Sequence, residues 1–372
     1  MNYLSQQDTK EYEGKRVVVR LDLNVPILNG EIQGDFRLRK SLATLEWLKS
    51  AGARVVIISH IKNNEGSTLK PVHEWLKGNF DNSLEFCEDV YDIETIDMAL
   101  EQGNGVLIEN IRNWNGEKEN HPEFAEYLAS LGEIFVQDAF AVSHRAHASV
   151  VGIKDFVPTV FGFQVEQEVH ALSKVFTPEH PLLMIFGGIK FDTKLPLIKK
   201  YLGQADNMII VAGMANDVYM DAYGYEIGRS VYSEEIDVSF LKEEKTIRVP
   251  QEVIVENEAG ESRSVNVSKV EKRDIIMDAD PDGLEKFREM IKGAGTIVWN
   301  GPLGWYEKGY DAGTQKMVEL IADSDAYSVV GGGDTVALIE QLGLQDKFDF
   351  LSTGGGAMLQ FLEKETLIGL KS

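Results

Sequence analysis

Four times in its second half the chain runs an apolar, strand-like segment into glycine. ValValGlyGlyGlyAspThr (329–335) leads into the helical pattern ValAlaLeuIleGluGlnLeu, and SerThrGlyGlyGlyAla (352–357) leads into MetLeuGlnPheLeu. Gly187 and Gly188 follow LeuLeuMetIlePhe, and AsnGlyProLeuGly (300–304) closes ThrIleValTrp. Strands joined by right-handed crossovers lie parallel, so such turns gather along one edge of a sheet, the edge at which open α/β sheets bind ligands. Glycine lets backbone approach a ligand closely, and the free N–H groups and dipole of a helix start favour an anion. Asp334 follows the three glycines at a place where a carboxylate could hold phosphate-bound Mg²⁺. Glycine turns at strand ends also serve as plain tight turns, and one alone would decide nothing. Four together favour phosphate. No GxxxxGK[ST] or GxGxxG occurs, which excludes P-loop chemistry and leaves a nicotinamide dehydrogenase supported by fold class alone.

The first half alternates β-branched runs with helical patterns. ArgValValValArg (16–20), ArgValValIleIle (54–58), GlyValLeuIle (105–108) and GluIlePheVal (133–136) read as strands, and residues 39–50 as an amphipathic helix. Polar residues follow these strands: Asp22, Asn24, Arg37, His60, Lys62, Arg112, His144, Arg145 and His147. Taken singly, Asp22 and Asn24 cap turns, the arginines are solvated, and His144 and His147 are structural donors or a weak metal pair. Taken together, cations after successive strands suit a small anionic substrate, because Arg grips carboxylate and phosphate bidentately. In the second half Lys190 and Lys194, four residues apart, fall on one face of a helix.

The net charge of −23 makes that local basicity informative and argues against nucleic acid as a partner. With 372 residues, two domains or more are expected. No apolar run reaches the roughly 20 residues of a membrane span, and the first residues lack a signal peptide's basic flank and apolar core, so a cytoplasmic location is expected. The single cysteine, Cys87, has acidic neighbours and reads as structural. The stretch 164–176 carries a helical stripe of Val165, Val169, Leu172 and Val175 and is ended by ThrPro. The expected architecture is α/β: two Rossmann-like domains with parallel sheets flanked by helices, joined by a hinge helix. The expected divisions are 1–163, the interdomain helix 164–176, 177–355, and a segment 356–372 returning to the N-terminal domain. Ligands on separate domains suggest hinge closure that excludes water.

Seven stretches then fall into one order across nearly the whole chain. They are ArgLeuAspLeuAsnValPro (20–26), GluAsnIleArg (109–112), AspAlaPheAlaValSerHisArgAlaHisAlaSer (138–149), GlyGlyIleLysPheAspThrLys (187–194), TrpAsnGlyPro (299–302), ValGlyGlyGlyAspThr (330–335) and SerThrGlyGlyGlyAla (352–357). In that order they resemble the phosphoglycerate kinase family. The resemblance implies reversible phosphoryl transfer between 1,3-bisphosphoglycerate and ADP, giving 3-phosphoglycerate and Mg·ATP, in a monomer. By motif position Asp22, Asn24, Arg37, His60, Arg112 and Arg145 would bind 3-phosphoglycerate. Lys190, Lys194, Asn300, Gly332, Gly333, Asp334 and Thr335 would serve the nucleotide, Glu307 its ribose, and Asp334 the metal. Arg37 and Lys190 would neutralise the migrating group, with Gly333 and Gly356 at the reacting phosphates.

The chain departs from the family pattern in places. SerHisIleLysAsnAsn (59–64) puts Asn63 where the family has an arginine. Lys62 replaces the charge but not the fork, and a lost charge-assisted contact costs about 1.5–3 kcal/mol, roughly one to two decades of affinity. Weakened 3-phosphoglycerate binding is expected; an unchanged affinity in Asn63→Arg would remove that expectation. Ile189, Phe191 and Thr193 depart from GlyGlyAlaLysVal and the aspartate usual after it, and are expected to reshape the adenine pocket. The C-terminal ProGly of the family is missing. The alternative reading is a catalytically impaired nucleotide-binding relative with a regulatory or binding role.

Overall fold

The computed structural model describes residues 1–62, 67–189, 191–233 and 235–371. Asn63 and Lys190, both singled out above, lie outside the described residues. Two compact units are present, Met1–His170 with Thr366–Ser372, and Ala171–Glu365.

The strands of the first unit are β1 (Arg16–Leu21), β2 (Ile27–Leu28), β3 (Glu31–Ile32), β4 (Arg54–Ile58), β5 (Glu85–Cys87), β6 (Val106–Ile108), β7 (Ile134–Asp138) and β8 (Thr159–Phe161). Six form a parallel sheet in the order β5-β6-β4-β1-β7-β8, while β2 and β3 make a small hairpin. A strand exposes alternate residues to opposite faces. Val17, Val19 and Leu21 therefore pack with Leu38, Leu45 and Leu48 of the helix Phe36–Ser50 on one side. Val18 packs with Val56, Ile58, Leu100, Phe124 and Leu128 on the other. With both faces covered, Val17, Val18, Val19 and Leu21 are buried on one side or the other, and each such side chain contributes about 1.5–3 kcal/mol. The helix expected over 39–50 begins at Phe36, which brings Arg37 into its first turn.

The second unit contains β9 (Leu182–Phe186), β10 (Asn207–Ile210), β11 (Ile247–Arg248), β12 (Glu252–Glu256), β13 (Ser262–Asn266), β14 (Ile275–Ala279), β15 (Thr296–Asn300), β16 (Tyr327–Gly331) and β17 (Phe350–Leu351). Its parallel sheet has the order β11-β10-β9-β15-β16-β17, and β12 pairs antiparallel with β13 and β14. The sequence of residues 246–255 reads as rich in strand formers, and it forms two strands in two sheets. Pro250, which has no N–H for a ladder, separates them.

The helix read over 164–176 runs from Phe163 to Ser173 and ends in a 3-10 turn, Lys174–Phe176, with Val165, Leu172 and Val175 buried. The helix Gly355–Lys364 belongs to the second unit, where Lys200 Nζ donates to its terminal carbonyls at Leu362 (2.8 Å) and Glu363 (3.0 Å). From Thr366 onward the chain belongs to the first unit, where Gly369 N–H donates to Ser143 O at 2.7 Å. Among the described residues no helix is long and apolar enough to cross a membrane.

Candidate functional site

In the first unit the loops leaving β1, β4 and β6 are stitched together. Ser59 Oγ donates to Leu21 O (2.8 Å) and accepts from Leu23 N–H (3.1 Å), while Asn110 Oδ1 accepts from Ile61 N–H and Arg112 N–H, each at 3.2 Å. This scaffold brings Asp22, Asn24, Arg37, His60 and Arg112 into one neighbourhood. Arg37 Nη1 donates to Asn24 O at 2.8 Å, and its Nε stands 3.5 Å from Asp22 Oδ2. Asn24 N–H reaches Asp22 Oδ1 at 3.4 Å, so the turn-forming role of Asp22 is realised as well.

At the centre lies a residue the strand reading passed over. Arg20 is fully buried at the end of β1, donating to Ser149 Oγ (2.9 Å) and Leu21 O (2.6 Å). Its Nη2 is 3.2 Å from His60 Nδ1. Guanidinium can only donate, so Nδ1 accepts and the neutral ring of His60 carries its proton on Nε2. Burial, then Arg20, Arg112 and Arg37, hold the His60 pKa well below the ordinary value. Burial and the repulsion of Arg20 and Arg145 lower Arg112 to about 10, and burial with Arg145 lowers His144 to about 4. Like charges crowded together at this cost, within a chain of net charge −23, make a ready-made anion receptor. Among the described residues Arg112 Nε and His144 Nδ1 are buried and have no hydrogen-bond partner. The guanidinium N–H, which can only donate, costs about 1–3 kcal/mol until something accepts from it.

Two carboxylates, Glu117 and Asp22, balance the cluster. Glu117, with no exposed surface, accepts from Ser149 N–H (2.9 Å) and Oγ–H (2.7 Å), and its Oε1 lies 3.5 Å from His147 Nδ1. His147 is thereby placed beside a carboxylate, not in a metal pair with His144.

In the second unit the four glycine turns stand at the ends of β9, β15, β16 and β17, as the pattern predicted. They touch backbone to backbone: Gly187 N–H donates to Asn300 O (2.9 Å), Gly188 N–H to Pro302 O (3.1 Å), and Gly301 N–H to Gly331 O (3.3 Å). A Cβ at Gly187 would stand 2.1 Å from Pro302 O. Gly332 takes φ of 110°, which a side chain rarely adopts. By contrast a Cβ at Gly333 or Gly356 would meet nothing within 4 Å. Packing does not require glycine there, which leaves a bound group as a reason for it.

The expectation that Lys194 shares a helix face with Lys190 is corrected. Lys194 precedes the helix Leu195–Tyr201, whose start is fixed by Pro196 in its first turn. Its nearly buried ammonium donates to Gly187 O, and burial lowers it to about 8. Asn300 Nδ2 donates to Gly355 O at 3.3 Å, tying two turns together. Thr335 Oγ1 is buried without a hydrogen-bond partner among the described residues. Desolvation, then Glu307, raises the Asp334 carboxyl.

Beside these turns opens a cavity of about 390 Å³, lined by Lys194 and Asp334 together with Tyr219, Val253, Met277 and Leu303. Glu307, Ile189 and Thr193 also line it, but Phe191 does not; it is fully buried elsewhere in the unit. A charged rim around an apolar slot suits a ligand with a flat ring and an anionic tail.

A family model described as phosphoglycerate kinase matches residues 7–365. The chain belongs to the phosphoglycerate kinase family. It is accordingly a kinase, an enzyme of phosphoryl transfer. It is 38% identical to the phosphoglycerate kinase of Dictyoglomus turgidum over 380 residues, covering 97% of this chain and 96% of that one. To that of Borreliella afzelii it is 37% identical, covering 100% and 99%. Among solved structures, phosphoglycerate kinase from Coxiella burnetii superposes with a TM-score of 0.80 at 34% identity, covering 99% of this chain and 97% of that one. The Pyrococcus horikoshii enzyme does so with 0.86 at 29%, covering 100% and 98%.

Within this kinase family frame, sequence reasoning missed the roles of Arg20, Glu117 and Ser149, and the antiparallel pairing that brings Val253 and Met277 to the cavity wall. A hairpin signal was present, since AsnGluAlaGly (257–260) separates two strand-like runs and Asn257 Oδ1 accepts from Ala259 and Glu261 N–H. Cys87 is buried, and burial ahead of its acidic neighbours raises its thiol pKa, so its inertness has a different main cause from the one expected.

Proposed function

We propose that the enzyme moves a phosphoryl group reversibly between 1,3-bisphosphoglycerate and ADP, with the acceptor on the first unit and the nucleotide on the second. The family match over residues 7–365 carries this reading. Asp22, Asn24, Arg37, His60, Arg112 and Arg145 take 3-phosphoglycerate, a trianion suited to clustered cations with unpaired donors. Lys194, Asn300, Gly332, Gly333 and Thr335 take the nucleotide phosphates, and Glu307 the ribose. The attacking carboxylate is already a nucleophile, so no general base is needed, and the residues contribute alignment and charge. Arg37 meets the developing charge from the first unit; Lys190 is assigned the same task by motif position alone. Gly333 and Gly356 leave room at the reacting phosphates.

Mg²⁺ keeps several waters and is held by one or two carboxylates plus substrate phosphates. Asp334, beside a glycine turn and pushed towards protonation by burial and then by Glu307, fits that role, since a cation would offset both effects on its charge. The ion would supply charge neutralisation at the phosphates. Asp334→Ala should raise the KM for Mg·ATP about tenfold or more, the scale of a lost charge-assisted contact, and spare that for 3-phosphoglycerate. Equal damage to both, measured in separate saturation curves, would rule out the metal role.

Lys194 attracts phosphate only as ammonium. With its pKa lowered to about 8, kcat/KM for Mg·ATP should fall as pH rises through that value. Lys194→Met should lower activity and abolish that alkaline limb; a limb persisting in the variant would assign it to another group. The assay for the function itself is Mg·ATP-dependent phosphorylation of 3-phosphoglycerate, coupled to reduction of the product. No turnover with ATP still bound would favour the non-catalytic alternative, which no observation here supports. A cytoplasmic monomer completes the proposal.

A further inference from the structure

The first unit has a second cavity, of about 530 Å³, that shares no lining residue with the basic cluster. Its walls include Tyr91, Trp114, Phe124 and Tyr127, with Glu119 and Glu123. Neither lysine nor arginine is among its described lining residues. The Tyr91 ring is 4.7 Å from that of Tyr127 at 47° and 6.3 Å from that of Phe124 at 64°, so the rings form a corner and not a parallel stack. Tyr91 is 53% exposed, so its ring is accessible at the mouth of the cavity. Tyr127 is anchored differently: its hydroxyl donates to Val90 O at 2.6 Å and its ring packs partly against the core, so what it offers to the cavity is the remaining ring surface.

Aromatic faces carry negative potential, and indole is the strongest of them. Carboxylates at the rim add to that potential; no lysine or arginine of the described lining neutralises them, and its one imidazole, His121, does so only when protonated. An anionic ligand is repelled by this combination and a neutral one gains only from the apolar walls, whereas an organic cation gains from both parts. The short helix Asn115–Lys118 separates the two sites: Glu117 is buried against the basic cluster, while Asn115 and Gly116 border the cavity.

We propose that this cavity is an aromatic cage for a small soluble organic cation with a quaternary ammonium head. Trp114, Tyr91 and Tyr127 supply the ring faces, and Glu119 and Glu123 the charge.

The probe is choline, compared with 3,3-dimethylbutanol, which has the same shape without the charge. Binding to the full chain is followed by calorimetry and by tryptophan fluorescence. Choline should saturate, and the neutral isostere should bind at least about tenfold more weakly. Tyr91→Ala and Glu123→Gln should each weaken choline about three- to tenfold, with kinase turnover unchanged as the check on folding. Equal binding of the two probes would overturn the proposal in favour of a merely apolar pocket. Absence of saturable choline binding, or choline binding untouched in Tyr91→Ala, would overturn it outright.

Discussion

Glu117→Ala should cost the first unit about 3–5 kcal/mol of folding stability, because it removes one partner of a buried charge pair and leaves the other in place. Arg20 would remain fully buried among Arg112, Arg145 and His60, with Asp22 as the remaining carboxylate acting on it. Ser149 N–H and Oγ–H would lose their acceptor. Burial alone would raise the Glu117 pKa, but His147, Arg20 and Ser149 outweigh it and hold the group below its ordinary 4.5. A depressed carboxylate contributes its stability above the unfolded value and loses it as pH falls through the folded one. The penalty of the substitution should therefore be full at neutral pH and shrink in acid. Urea unfolding of the first unit's transition, at pH 7 and again below about pH 4, measures both statements. A loss under about 1 kcal/mol at pH 7 would mean that water, and not Glu117, compensates Arg20.

Arg37→Ala should lower kcat by about two to three orders of magnitude, the scale for removing one preorganised donor from a developing charge. The side chain is poised for this by its place in the first turn of the helix Phe36–Ser50, by its hydrogen bond to Asn24 O and by its ion pair with Asp22. KM for 3-phosphoglycerate should change much less, because an interaction made chiefly in the transition state leaves ground-state binding alone. Arg37→Lys should recover little, since an ammonium cannot reproduce the fork that holds Asn24 O and the phosphoryl oxygens together. A raised KM with kcat intact would reassign Arg37 to uniform substrate binding.

These two residues also mark how far the sequence could be read. Arg37 stood out because it is a cation outside any strand in an acidic chain. Arg20 and Glu117 did not: the one ends a strand and the other sits in a polar run, and nothing in periodicity tells a buried ion from a solvated one. Their pairing joins positions 97 residues apart, through Ser149, which comes from a third segment. The lysine error has a local cause, since spacing of four implies a shared face only where the backbone is helical, and Pro196 delays the helix past Lys194.

The parallel sheets, the glycine turns at their edge and the order of the seven family stretches were determined by the sequence itself. They depend on local rules: β-branched runs make strands covered on both faces, and glycine permits close backbone contact where a strand gives way to a helix. Charge states and partners were decided only by the tertiary structure. The proton on His60 Nε2, the lowered Lys194 and the counter-charge at Glu117 all follow from burial and from neighbours distant in sequence. An ionisable group's behaviour is set by which charges surround it and how much water it has lost, and neither quantity exists before the chain has folded.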